Sequence, residues 1–168
     1  MRTTHLGYCL LAGLLAACGG SDAKSEAQKT AAALRGEDKV AASNNPQCKL
    51  FTPAELKQYV GETLSAGQDA AMGSGCQWTS SGEASAMIQV VPARYHELHS
   101  AAPTFRSISD ADSGGTQGFV EKSLGDWNAG AISGPEAVVV SVGGPAASDA
   151  AALALLRETI ARRGKHAG

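Results

Sequence analysis

The sequence predicts an α+β domain: a mainly antiparallel sheet of about five strands with helices packed on one face. Three observations carry that expectation. Short apolar stretches such as Met87-Ile88-Gln89-Val90-Val91 are joined by hairpin-length links. Thr52-Pro53 opens a helix with a strong capping pair, and the chain closes on an Ala- and Leu-rich amphipathic segment.

Taken in order, Thr52 as N-cap, Pro53 as first helical residue and Glu55 in the first turn start a short helix that runs to Val60 and stops at Gly61. Residues 76–79 and 86–91 read as two strands around a turn at Ser81 and Gly82, the second ended by Pro92. A second helix is expected over 94–102, with Tyr95 and Leu98 three apart, until Pro103 breaks it. Three further strands follow at 119–121, 127–132 and 137–142, with Gly134 and Pro135 at the last turn. Residues 148–163 form the closing helix, capped by Ser148, with Asp149 in its first turn and Arg162 and Arg163 in its last.

The 168 residues carry a formal net charge of -2 and only 5% aromatics, so one modest domain must be built from few large side chains. No basic run exists beyond Arg162, Arg163 and Lys165, which argues against a nucleic-acid partner.

The amino terminus reads as a signal peptide over 1–17: Arg2 supplies the positive end, and 6–17 is apolar apart from Gly7 and Gly13. Its close, Leu15-Ala16-Ala17-Cys18, resembles the lipobox of bacterial lipoproteins. The resemblance implies that Cys18 is diacylated and becomes the first mature residue, with an ordinary secretory cleavage near Ala17 as the alternative. Several acyl chains, each worth about 0.8 kcal/mol per buried methylene, anchor a protein durably, so the expected partner is the membrane, reached through lipid on Cys18. Asp after the lipidated cysteine commonly retains such proteins at the inner membrane, and here the residue is Gly19. The expected address is the cell envelope, on the periplasmic face of the outer membrane in a Gram-negative host.

Residues 18–45 are Gly, Ser, Ala and charged residues with Leu34 and Val40 as the only large aliphatics, a composition that reads as a flexible tether of roughly 30 Å. The globular domain is expected over 46–168. Cys9 falls in the discarded signal and Cys18 is consumed by lipid, leaving Cys48 and Cys76 to pair in an oxidising compartment. That bond is worth about 3.5 kcal/mol by loop-closure entropy. The alternative, a two-cysteine metal site, lacks partners at ligand spacing.

The string Cys48-Lys-Leu-Phe-Thr-Pro-Ala-Glu-Leu56 with Gly61 after it, and then Gly75-Cys76-Gln77-Trp78, resembles a family of exported lipoproteins best known from actinobacteria that carry a domain of unknown function. The resemblance spans most of 48–163 and is looser over 110–142. It implies a fold and an address and brings no activity.

Several constellations invite a chemical reading. His96 and His99 lie three apart on the expected second helix, a spacing suited to a shared metal ion, but no third ligand accompanies them and a solvated helix face accounts for both. Asp110, Asp112, Gly115 and Glu121 match positions one, three, six and twelve of a calcium loop, while Gly114 and Gln117 depart from it, which favours a polar loop. Trp78 is expected in the core over the disulfide. Trp127, between Asp126 and Asn128, is the aromatic placed to stack on a ligand, with core packing as the competing reading. Nucleophile elbows, zinc helices, phosphate loops and free nucleophilic cysteines are absent from the sequence. The expectation is a non-enzymatic, cofactor-free envelope domain that binds a small ligand or an envelope protein through its sheet. The alternative is an assembly accessory acting through the apolar face of the last helix, Ala151, Ala152, Leu153, Leu155, Leu156 and Ile160.

Overall fold

The computed structural model describes residues 43–99 and 103–166; the expected signal peptide, Cys18 and the expected tether through residue 42 lie outside them. No helix among the described residues is long and apolar enough to cross a membrane.

Local sequence sets the first helix. In α1 (Pro53–Val60) the Thr52 side chain accepts from the Glu55 amide at 3.3 Å, and Glu55 Oε2 accepts from the Thr52 amide at 2.7 Å. Gly61 ends it in the left-handed region at φ 87°, where its amide donates to the Lys57 carbonyl. A 3-10 turn, Pro46–Lys49, precedes it and carries Cys48.

Seven antiparallel strands follow: β1 (Gln68–Ala70), β2 (Gly75–Thr79), β3 (Ser85–Pro92), β4 (Arg106–Ile108), β5 (Thr116–Ser123), β6 (Asp126–Ser133) and β7 (Glu136–Gly143). Their spatial order is β1-β2-β3-β7-β6-β5-β4. The last strand therefore enters between two three-stranded meanders and makes one sheet of them. That central place explains the composition of β7, where Val138, Val140 and Val142 are buried on one face and Val139 on the other.

One face is covered by helices. α1 packs on β3, β7 and the closing helix, here α3 (Asp149–His166), which in turn lies on β5, β6 and β7. Leu56, Val60, Ile88, Val138, Val140, Leu155 and Leu156 meet there in a single core. Cys48 and Cys76 are bonded, with Cα atoms 5.1 Å apart, tying the first 3-10 turn to β2. Trp78, two residues beyond Cys76 on the same face, is 1% exposed.

The structure corrects the expected five strands to seven. The added strands, β1 and β4, are three-residue edges of sequence Gln-Asp-Ala and Arg-Ser-Ile. Segments so short and polar carry no period-two signal; they become strands because β2 and β5 offer unpaired backbone groups. The expected helix over 94–102 is a 3-10 segment, Ala93–His99, and residues 100–102 lie outside the described set. The polar loop expected near Asp110 contains a helical turn, α2 (Asp110–Ser113), capped by the Ser109 hydroxyl. Ser43 and Asn45, read as tether, are tied to the domain: the Ser43 amide donates to the Gly67 carbonyl, and Asn45 Nδ2 donates to the carbonyls of Gly73 and Gly75 at 3.0 Å each.

Candidate functional site

Alternation along β5 places Val120 under the helices and Phe119 on the opposite face, where no α-helix among the described residues covers the sheet. Phe119 stands across from Gly130 on β6. A Cβ at Gly130 would come within 2.3 Å of the Phe119 ring, so the missing side chain is what lets that ring lie flat over the neighbouring strand. Phe105, just before β4, stacks on it with centroids 5.6 Å apart and planes 18° from parallel. His96, from the 3-10 segment, tilts against the same ring with centroids 5.4 Å apart.

The strand itself is distorted at this point. The β5–β6 register shifts between Thr116 and Phe119, and Gln117 in that interval has φ 53°, a left-handed conformation unusual for a side-chain-bearing residue. The shift aims the Gln117 carbonyl at His96, whose Nε2 lies 2.6 Å away. A carbonyl only accepts, so Nε2 carries the hydrogen and Nδ1 of the neutral ring is left as an acceptor. Nδ1 is buried and has no hydrogen-bond partner among the described residues. A buried polar atom left in that state costs about 1–3 kcal/mol.

Together these residues border a concavity of about 560 Å³, lined among the described residues by His96, Phe105, Ser107, Ile108, Gln117, Gly118 and Phe119. Aromatic and aliphatic groups form its floor, while the exposed Ser107 and Gln117 stand at its rim. Apart from the imidazole, none of the described lining residues can carry charge. A concave, mostly apolar site with a few polar groups is the form that small-ligand sites take.

His96 was expected on a solvated helix face and is instead 7% exposed against the sheet. The side chain of His99 falls outside the described residues. Asp110 and Asp112 are exposed on α2, where Asp112 Oδ2 accepts from the Ser109 hydroxyl at 2.6 Å, whereas Glu121 is buried within β5. A helical turn and a strand thus separate the three carboxylates that a calcium loop would converge. No group of three or more potential metal ligands occurs among the described residues. Trp127 is partly buried against the core, across from Lys122, whose ammonium lies 5.7 Å from the ring centroid, and it does not line the concavity. The apolar face of α3 is used within the domain: Ala152, Leu155 and Leu156 are fully buried, and Ala151, Leu153 and Ile160 pack against the same core.

Phe105, Ser107, Gln117 and Phe119 were missed as site residues. They share no motif spacing, and the register shift that gathers them has one visible trace, the glycines at 114, 115 and 118 around a short polar stretch.

Fold and site define a disulfide-stapled α+β sheet domain with an aromatic concavity on the face away from its helices. The chain belongs to the DUF3558 family, described as a protein of unknown function, whose model matches residues 13–152. No curated protein and no solved structure shows a significant match.

Proposed function

We propose that this protein is a lipid-anchored envelope domain, held by acylated Cys18, that binds a small ligand at the His96–Phe105–Phe119 concavity without catalysing a reaction. The observation that carries the binding reading is the convergence on one patch of a stacked aromatic pair, a register shift and a buried imidazole whose Nδ1 has no partner among the described residues. Strain and unsatisfied polar groups concentrate where a fold serves a partner rather than its own stability. The anchor is supported by the Leu15-Ala16-Ala17-Cys18 sequence. The alternative, an assembly accessory acting through α3, would have to use what Ala151, Leu153 and Ile160 leave exposed, since Ala152, Leu155 and Leu156 are buried within the domain.

The test places a photocrosslinking residue at Ser107, on the rim, or at the exposed Gln58 of α1 as a control, in cells expressing the full chain. A low-mass adduct at Ser107 and none at Gln58 is expected; equal capture at both, or none at Ser107, defeats the binding reading. In parallel, labelled fatty acid should enter the wild-type chain and not Cys18→Ser, and that substitution should release the protein from the membrane fraction. Retention of label or of membrane partition in the variant defeats the anchor.

A further inference from the structure

We infer that the ligand of this concavity is an uncharged, ring-bearing molecule carrying a hydroxyl or N–H donor, its ring set against Phe105 and Phe119 and its donor directed to His96 Nδ1. This rests on the binding role proposed above and deepens it to a chemical class.

Each part of the class follows from a different feature of the wall. The near-parallel rings of Phe105 and Phe119 form an apolar slab, and a flat ring gains most from such a surface in an offset or edge-on arrangement. A net charge is disfavoured because no Lys, Arg, Asp or Glu among the described residues lines the site to replace the water that an ion would lose. The need for a donor comes from His96. Gln117 fixes the hydrogen on Nε2, so the neutral ring presents a lone pair at Nδ1 that nothing among the described residues satisfies.

Nδ1 is itself buried, so a donor reaches it only when part of the wall moves. Phe119 is held in the sheet at 1% exposure, whereas Phe105 is half-buried ahead of a three-residue edge strand, so Phe105 is the wall group that yields in this proposal. A ligand that slides under Phe105 exchanges an aromatic contact for an aromatic contact and adds one hydrogen bond. Loss of that donor in an otherwise identical ligand leaves the buried acceptor orphaned, which is why discrimination by a missing donor is steep.

Phenol, anisole and benzoate separate these features on one ring. Titrated into the full chain and followed by ¹⁵N imidazole and aromatic NMR, phenol should bind saturably in the millimolar range. It should shift the His96 Nδ1 resonance, assigned by its loss in His96→Gln, together with those of Phe105 and Phe119. Anisole, whose oxygen has no hydrogen, should bind roughly tenfold more weakly and leave Nδ1 unshifted, and benzoate should not bind. Phe105→Ala should weaken phenol roughly tenfold with the fold intact by amide spectrum. Anisole equal to phenol overturns the donor requirement, and benzoate binding tighter than phenol overturns the charge rule, both with the concavity still a binding site. No saturable shift at His96, Phe105 or Phe119 with any of the three overturns the ligand class, while adduct formation at Ser107 would separately keep the binding role.

Discussion

Arg162 in α3 and Glu55 in α1 are 107 residues apart in sequence and share a hydrogen-bonded ion pair of 2.9 Å. The same guanidinium donates to the Leu50 carbonyl at 2.5 Å and to Glu158 at 2.8 Å, and it lies 4.1 Å above the Phe51 ring. One side chain thus fastens the segment that leads into α1 to the end of the last helix. Replacing it by methionine keeps much of the packing stem but orphans the Leu50 carbonyl. Arg162→Met should therefore destabilise by about 1–2 kcal/mol, read as a lower urea midpoint with an unchanged slope.

The pair also sets an acid limit. The hydrogen bond from Arg162, and after it those from the Thr52 amide and hydroxyl, lower the Glu55 pKa from 4.5 to about 2. A carboxyl depressed in the folded state adds stability above its unfolded pKa and loses that contribution as pH falls through the folded value. The decline should fall between about pH 4.5 and pH 2. Thermal melts across this window should show a steeper loss for wild type than for Glu55→Gln; parallel curves would remove Glu55 from the acid response.

Two glycines should respond oppositely to alanine. A Cβ at Gly67 would sit 2.6 Å from Trp78 Nε1 and 2.7 Å from Cys76 Sγ, inside the fully buried heart of the stapled half. Gly67→Ala should cost about 1–3 kcal/mol through forced repacking. Gly164 lies within α3 with nothing near its missing side chain, so Gly164→Ala should stabilise by about 0.5–1 kcal/mol through helix propensity. Denaturant midpoints of the two variants decide both signs.

The hairpin between β5 and β6 turns through Leu124 and Gly125, both left-handed at φ 53° and 98°. Leu124 is fully exposed, so its side chain gains nothing from burial and bears the backbone strain alone. Asn-Gly is the pair this turn prefers, and Leu124→Asn should raise stability by about 1 kcal/mol, seen as a higher midpoint at unchanged slope.

The Cys48–Cys76 bond closes a separation of 28 residues between sulfurs that are almost wholly buried. A double Cys→Ser variant should lose about 3.5 kcal/mol on loop-closure entropy. Mass-tagging of thiols after reductant treatment should show little reduction under native conditions and full reduction once urea opens the domain. Ready reduction of the folded protein would contradict the burial.

Much of the architecture was legible because it is encoded locally. Thr52, Pro53, Glu55 and Gly61 bound α1 within a residue, and Ser148 and Asp149 announce α3. The five strands other than β1 and β4 are legible, β5 only in its middle, since apolar alternation or Gly-Pro turns mark them. The edge strands are not, because three residues, two of them polar, carry no pattern until a neighbour supplies hydrogen-bond partners. His96 shows the same division at the site: its identity drew notice, but its burial depends on Phe119, 23 positions later, and on a register shift that alternation cannot reveal.

By itself the chain determined its capping signals and its class of fold, which depend on neighbours in sequence, and it pointed to the Cys48–Cys76 pairing through the expectation that Cys9 and Cys18 are not available to it. Only the tertiary structure decided that β7 enters between the two meanders, and that His96, Phe105 and Phe119 meet on the face away from the helices. Those outcomes depend on which strand edges pair and which residues a shift in register turns toward one another, and such contacts act across distances that no local periodicity records.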